Sequence, residues 1–301
     1  MKTARYALTR LLGMILVLAI VPTVPAILSF FAPHSGNAGL QQVTFAQRLP
    51  GLFSAITGAW QQVLQILPIP PANILSGLGV SLFLVLMSII LGAVIGMPLG
   101  IYAAVKRKLW FSHIGPLGGL VAQSLPTFLV ASLLQLQFAD IWHVLPIGGW
   151  QSPQSAILPV VSLAAGNVGY LAKFTQAGMT EVLQQDFIVS AKARGLPGWK
   201  VIVRHALRPA SLSTVTFFGP QAAMLINNTL LLQAIFQIPG LSGALGEQMS
   251  VTPQGGGIQG VATPFGTSGD TVLVFFLLAF VILFINLLID LLYRLLNPRA
   301  V

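Results

Sequence analysis

The side chains that could carry charge or do chemistry are few and unevenly placed in this chain. Only 7% of its 301 residues are charged, yet five of the fifteen lysines and arginines fall between Glu181 and Pro209. This central segment reads EVLQQDFIVSAKARGLPGWKVIVRHALRP and lies between long apolar runs. Its basic residues are Lys192, Arg194, Lys200, Arg204 and Arg208. Because ionised side chains are costly in lipid, the central segment is predicted to face water.

A second polar set is neutral and lies within an apolar run. Gln221, Asn227, Asn228 and Gln233 follow the central segment at intervals that place them on one predicted helix. Lipid offers no hydrogen-bond partner, so such groups face a cavity or another helix. Two interpretations stay open, since the amides could line a pathway that passes a solute without tight binding, or could join helices at a subunit interface.

Other chemistry is missing from the sequence. No cysteine is present, no lysine follows a glycine as in a Walker A phosphate-binding loop, and no histidine precedes a glutamate as in HExxH. His34 and His143 have no carboxylate cluster nearby, which makes a poor metal site. We therefore predict no catalytic residue, no metal site and no cofactor bound by this chain. The absence of a nucleophile, base and acid constellation also disfavours a membrane enzyme.

Composition defines the fold class. With 55% hydrophobic residues, the chain is predicted to be an all-α integral membrane protein with six transmembrane helices. The first apolar run is longer than a signal-peptide core, so we predict a retained span. The six predicted spans are residues 11–31, 73–105, 114–139, 156–179, 210–236 and 271–296.

Charge predicts the orientation of these spans. If both ends and the central segment face the cytoplasm, fourteen of the fifteen lysines and arginines lie at the inner side and only Arg48 lies outside. Residues 33–72 and 237–270 are then external loops. The net charge of +9 does not indicate nucleic-acid binding, because the basic residues flank apolar spans.

The first half of the central segment predicts a short helix with defined ends. Asp186 is a good N-cap, no helix breaker follows until Arg194, and Gly195 can take the left-handed conformation that ends a helix. Pro197 prevents the helix from resuming.

The second half predicts an amphipathic helix. Its apolar face has the spacing i, i+3, i+4 and i+7, and consists of Trp199, Ile202, Val203 and Ala206. Lys200, Arg204 and Arg208 follow at steps of four on another face. Charge alone leaves open a basic loop lying on anionic membrane lipid.

The central segment resembles the cytoplasmic EAA loop of ABC-importer permeases, in the oligopeptide, dipeptide and nickel branch. That pattern contains an acidic and an aromatic residue, Ala-x-Ala, and a basic residue followed by Gly-Leu. The matching positions are Asp186, Phe187, Ala191, Ala193, Arg194, Gly195 and Leu196. GMPLGIYAAVKR, at the end of the second span, and QAIFQIPGLSGAL, after the fifth, are similar to other family phrases. The chain departs from the family at Gln233, where glutamate is usual, and at Ser242, where glycine is usual.

The resemblance implies a type I ABC-importer permease fold and a set of partners. Residues 1–72 would form a first helix with an external loop, and residues 73–299 a core MetI-like permease domain containing the EAA loop at 181–209. The short helix at Asp186 would be the coupling helix that docks on an ATPase subunit.

Implied partners are a second homologous permease, two ATPase subunits that bind ATP and Mg²⁺, a periplasmic or lipid-anchored binding protein, and the lipid of the bacterial inner membrane. The implied solute is a short peptide, with nickel chelates and opines as alternatives. An ATPase-independent channel or a secondary transporter is the other functional class, although the spans contain almost no carboxylate for ion coupling.

Overall fold

A computed structural model of the protein describes residues 2–25, 27, 45–68, 70–106, 117–119, 121, 124–246 and 269–296. Every regular element in these ranges is helical. The all-α prediction is therefore confirmed for the described part of the chain.

Ten helices are labelled here in chain order. They are α1 (Lys2–Ile20), α2 (Phe45–Ile66), α3 (Ala72–Val105), α4 (Thr127–Gln135), α5 (Ile157–Val182), α6 (Asp186–Ala193), α7 (Gly198–Lys200), α8 (Leu207–Ile235), α9 (Leu241–Gly246) and α10 (Gly269–Leu296). Wider π-type turns extend α4 over Leu136–Ile141 and join α7 to α8 over Val201–Ala206. A 3₁₀ turn, Pro153–Ala156, leads into α5.

Three helical stretches are long and apolar enough to cross a membrane, namely Ala72–Val105, Pro153–Val182 and Val272–Leu291. They coincide with the second, fourth and sixth predicted spans, and they make the chain a multi-pass, all-helical membrane protein. Thr9–Pro25 and Thr127–Ile141 are shorter apolar helices. The number of six spans stays a prediction.

The predicted third span, residues 114–139, is interrupted at Pro126. Pro126 is extended, with φ −57° and ψ 131°, and α4 begins only at the next residue. A proline ring clashes with a preceding helical turn and supplies no N–H, so a helix that reaches it from upstream breaks. Its carbonyl accepts hydrogen bonds from the amides of Leu129 and Val130 at 2.9 and 3.2 Å, which starts α4.

The chain divides into two compact units, Met1–Gly79 with Gly240–Phe284 and Val80–Pro239 with Ile285–Val301. In the first unit, α2 packs on the first part of α10 through the buried side chains of Ala59, Val63 and Val272. Helix α2 lies within residues 33–72, the first predicted external loop.

The second unit contains α4, α5 and α8, which contact one another in pairs. The glycines of α3 allow it to approach α5 closely. A Cβ atom at Gly92 or Gly96 would lie 2.5 Å from the Asn167 amide nitrogen or the Val168 carbonyl oxygen, respectively. Only glycine fits such contacts, so the four-residue spacing of these glycines serves helix packing, as predicted.

Candidate functional site

Helix α6 begins one residue earlier than the sequence predicts. The N-cap is Gln185, with φ −73° and ψ 149°, and Asp186 is the first helical residue. The carbonyl of Gln185 accepts a hydrogen bond from the amide of Ile188 at 3.0 Å. Asp186 remains in the first turn, where a negative charge is favoured by the helix dipole. Its predicted role as N-cap is wrong by one position.

The end of α6 is as the sequence predicts. Gly195 has φ +77°, in the left-handed region. The amide of Gly195 donates to the carbonyl of Lys192 at 2.9 Å, and that of Leu196 donates to the carbonyl of Ala191 at 3.4 Å. These two bonds form a Schellman motif, which satisfies carbonyls that the last helical turn leaves open.

A buried apolar cluster fixes α6 to the helices around it. Ile188 and Ala191 are fully buried, and they pack with Ala104 at the end of α3 and Met179 near the end of α5. Val201, Ala206 and Ala210 complete the cluster, and Leu196 packs against it. The helix is thus attached to two spanning helices by close-packed side chains, which transmit displacement.

The seven predicted coupling residues divide by exposure. The exposed residues are Asp186, Phe187, Ala193, Arg194 and Gly195, whereas Ala191 is buried and Leu196 is half-buried. Phe187 exposes 46% of its surface, a large fraction for an aromatic side chain. The exposed members can contact a partner, and the inward members hold the helix in place.

The predicted apolar face of the second helix is confirmed at Ala206, which is buried, and at Ile202, which is half-buried against the cluster. It is wrong at Trp199 and Val203, which are 64% and 58% exposed, and Val201 is buried instead. The π-type turn explains the change, because its hydrogen bonds span five residues and bring Val201 and Ala206, five apart, to one side. The Nζ of Lys200 lies 5.6 Å from the centre of the Trp199 ring.

The basic face is exposed as predicted, at Lys200, Arg204 and Arg208. These three side chains make the surface of the second helix positively charged.

The four amides singled out by sequence do not share one environment. Gln233 is 1% exposed, and its Nε2 donates to the Ser81 hydroxyl of α3 at 2.7 Å. For Gln233 the structure therefore shows interhelical hydrogen bonding. Asn227 is exposed, while Gln221 is buried and Asn228 is half-buried.

Gln221 and Asn228 line a cavity between α4, α5 and α8, here called the amide cavity. Its narrow part has a volume of about 30 Å³, and the adjoining wider part, which shares Leu125, Thr127, Met224 and Asn228, has about 260 Å³. The other polar side chains of the narrow part are Thr127, Ser162 and Asn167.

Asn167 is a residue that the sequence analysis missed. It is 1% exposed, its Nδ2 donates to the Ser88 carbonyl at 3.2 Å, and its Oδ1 has no hydrogen-bond partner. The signal was available, because Asn167 is an amide in the middle of the fourth predicted span, just as the α8 amides are polar residues in the fifth.

Within the described residues, no group of three or more histidines, cysteines or carboxylates could hold a metal ion. His143, one of the two histidines considered, is exposed and has φ 55°. His34 lies outside the described residues.

The fold defines the class of protein. The structure resembles a chain of the MetNI methionine ABC transporter in an inward-facing conformation, with a TM-score of 0.57 over 74% of this chain and 96% of that chain, at 20% sequence identity. A second crystal form of MetNI gives a TM-score of 0.54. The described part of the chain therefore has a fold similar to that of a chain of this transporter.

The sequence then places the chain in a family. Residues 96–301 match the family described as "Binding-protein-dependent transport system inner membrane component". The match covers more than half of the chain, so the protein belongs to this family of ABC-transporter permeases. Such permeases are non-catalytic multi-pass components of the inner membrane, and ATP binds to separate ATPase subunits of these systems.

Curated relatives agree with this family. The chain is 36% identical over 165 residues to the dipeptide transport system permease protein DppB of Bacillus subtilis. It is 34% identical over 168 residues to the oligopeptide transport system permease protein OppB of Escherichia coli, and 33% identical over 185 residues to OppB of Haemophilus influenzae. The alignments cover 55%, 54% and 59% of this chain and 54%, 55% and 60% of those relatives, so they span just over half of each relative.

Proposed function

We propose that this chain forms, together with a second homologous permease, the pathway by which short peptides enter a bacterium. Two cytoplasmic ATPase subunits would drive the transport, and a periplasmic or lipid-anchored binding protein would deliver the peptide. The family supports the general mechanism, and relatives named for dipeptide and oligopeptide transport support the solute. Nickel chelates and opines are the alternative solutes.

The proposed topology has six spans with both ends in the cytoplasm. Its support is the distribution of basic residues, which puts the exposed lysines and arginines of the central segment on the inner side. Residues 1–72 form the first helix and external loop in this proposal, and residues 73–299 form the core permease domain. The exposed face of α6 then meets the compartment that contains ATP.

The observation that carries the coupling proposal is the two-sided character of α6. Its inward side is buried against the ends of α3 and α5 through Ile188 and Ala191. Its other side exposes Phe187 and Arg194. An ATPase that moves the exposed side moves the spanning helices as well, because the packed cluster does not deform continuously. ATP and Mg²⁺ belong to the ATPase subunits in this scheme.

An ion-coupled carrier is the competing class. Carriers that couple to protons or sodium usually place carboxylates inside the membrane. Every buried polar side chain among the described residues is uncharged, and the set consists of serine, threonine, asparagine and glutamine. This composition favours a pathway whose energy source lies elsewhere.

Charge reversal at Arg194 tests the proposal. The permease, its partner permease, the ATPases and the binding protein are reconstituted in vesicles, and ATP hydrolysis and peptide uptake are both measured. In Arg194→Glu we expect uptake to fall at least tenfold, while the amount of inserted permease stays normal. Arg208→Glu is the matched control, since Arg208 is also exposed but lies outside α6.

Two results would overturn the proposal. Full uptake in Arg194→Glu would remove α6 from the coupling path. Solute uptake by the purified chain without any ATPase would replace the importer with a channel or a carrier.

A further inference from the structure

We infer that the amide cavity is a subsite for the backbone of the transported peptide, with Asn167 Oδ1 as the acceptor of a peptide N–H group. The inference rests on the proposed peptide transport. It assigns a specific contact to Asn167, which lies on α5 and is not one of the amides of α8.

The orientation of Asn167 is fixed by its neighbours. Its Nδ2 donates to the Ser88 carbonyl at 3.2 Å, and its amide lies against Gly92, where a Cβ atom would lie 2.5 Å from that nitrogen. The reversed amide would bring its oxygen against the Ser88 carbonyl, which is also an acceptor. Oδ1 is therefore the group left without a partner.

An unpaired acceptor at this depth is costly. Burying a polar atom without a hydrogen bond destabilises a protein by about 1–3 kcal/mol. Asn167 is 1% exposed and is one of the residues that line the amide cavity. In the proposed subsite, a donor that enters the cavity bonds to Oδ1 and recovers part of this free energy. The unpaired oxygen thus points to a ligand that carries N–H or O–H groups.

The lining of the cavity narrows the class of ligand. All of its side chains are uncharged, so an isolated ion would find no countercharge there. The Ser162 hydroxyl already donates to the Leu158 carbonyl at 2.7 Å. Gln221 and Asn228 offer amide donors and acceptors, which match the C=O and N–H of a peptide bond.

The wider part of the cavity suits the side chains of a short peptide. It is lined by Phe128, Leu231 and Leu232 together with Ser124 and Asn228. Its volume of about 260 Å³ is close to the lower limit of ligand pockets, roughly 300 Å³. Apolar walls next to neutral amides suit peptide side chains of varied type.

Thr175 supplies a matched control on the same helix. Its Oγ1 is also buried without a hydrogen-bond partner, and the residue is 2% exposed. Thr175 lies against Gly100 of α3 and does not line the amide cavity. A purely structural effect of removing a buried polar atom would therefore appear at both positions.

The experiment compares a short peptide with an analogue whose central amide nitrogen is methylated and so has no N–H. Uptake of each is measured in vesicles that contain the complete transporter, with Asn167→Leu, Asn167→Ala, Thr175→Val and the unmodified permease. The quantity of interest is the ratio of the two uptake rates. Comparing this ratio between permeases cancels any preference of the binding protein, which is the same in every sample.

We expect the ratio of peptide to methylated peptide to fall about three- to tenfold in both Asn167 variants, as the loss of one buried hydrogen bond requires. Thr175→Val should leave the ratio unchanged. An unchanged ratio in an Asn167 variant that still transports would overturn the inference, as would an equal fall in Thr175→Val.

Complete loss of uptake in both Asn167 variants, with normal insertion and ATP hydrolysis, would also count against a contact with one N–H group. If the unmodified complex takes up no peptide with ATP, the proposed function itself fails. That result is distinguishable from failure at Asn167.

Discussion

The central segment and the amide cavity are built from contacts of different range in sequence. Most residues of the cluster that holds the central segment together lie within it, and the ends of α3 and α5 and Ala210 of α8 add the rest. The amide cavity collects side chains from positions 125–130, 162–167 and 221–228. A functional surface that faces water can be encoded locally, whereas a polar cavity inside a helical bundle depends on how distant helices meet.

The two regions also differ in how tightly they are packed. On α6, Ile188 and Ala191 are buried while their neighbours Phe187 and Val189 are exposed. Around the cavity, α3 meets α5 with backbone atoms close to glycine. Substitutions should therefore be most damaging between the spanning helices, less so under α6, and least at the turn that ends α6.

The largest effect is expected at Gly96. In Gly96→Leu, the new side chain meets the Val168 carbonyl, which a Cβ would approach to 2.5 Å. Backbone atoms cannot move aside as a flexible side chain does, so we expect a penalty of about 3 kcal/mol or more. The yield of monodisperse permease after detergent extraction measures this loss of stability. Gly79→Leu in the same helix is the control, since nothing lies within 4 Å of a Cβ there. Equal yields of Gly96→Leu and Gly79→Leu would show that α3 is not packed more tightly at Gly96 than at Gly79.

An intermediate effect is expected under α6. Ile188 is fully buried, so Ile188→Ala should lower the free energy of unfolding by about 2–4 kcal/mol. Val189 is 58% exposed, and Val189→Ala should change stability by no more than about 0.5 kcal/mol. Thermal unfolding of the purified permease compares the two variants. If Val189→Ala is the more damaging change, the assigned inward side of α6 is wrong.

The smallest effect is expected at the Schellman turn. Gly195 has φ +77°, and a Cβ atom there meets nothing within 4 Å, so Gly195→Ala has only a conformational cost of about 1 kcal/mol. Gly198 also has open space around a Cβ, but its φ is not positive. Gly198→Ala should therefore be neutral or slightly stabilising. Unfolding measurements that show the same loss at both glycines would mean that the left-handed turn is not the cause.

Local features of the fold could be predicted from the residues themselves. The end of α6 at Gly195 follows from one residue that adopts positive φ at low cost, and the exposed basic face follows from side chains that require water. The predicted start of α6 was wrong by one residue. The position of an N-cap depends on the backbone conformation, and several neighbouring residues could adopt that conformation.

Two errors arose from assuming regular helices. The predicted apolar face of Trp199 and Val203 is exposed, because the π-type turn at Val201–Ala206 shifts the register by one residue. Pro126 likewise interrupts the helix expected in the third span. At the π-type turn, the departure from the period of 3.6 residues changes which side of the helix is buried.

By itself, the sequence determined that this is a helical membrane protein with one concentrated basic segment, because hydropathy and charge act residue by residue. Only the tertiary structure decided what each buried amide does. Gln233 bonds to Ser81 across 152 residues, and Asn167 bonds to Ser88 across 79, leaving Oδ1 buried without a partner. An amide carries both donors and acceptors, so its type does not specify its partner; the packing of helices brings one partner within reach and leaves the other atom without one.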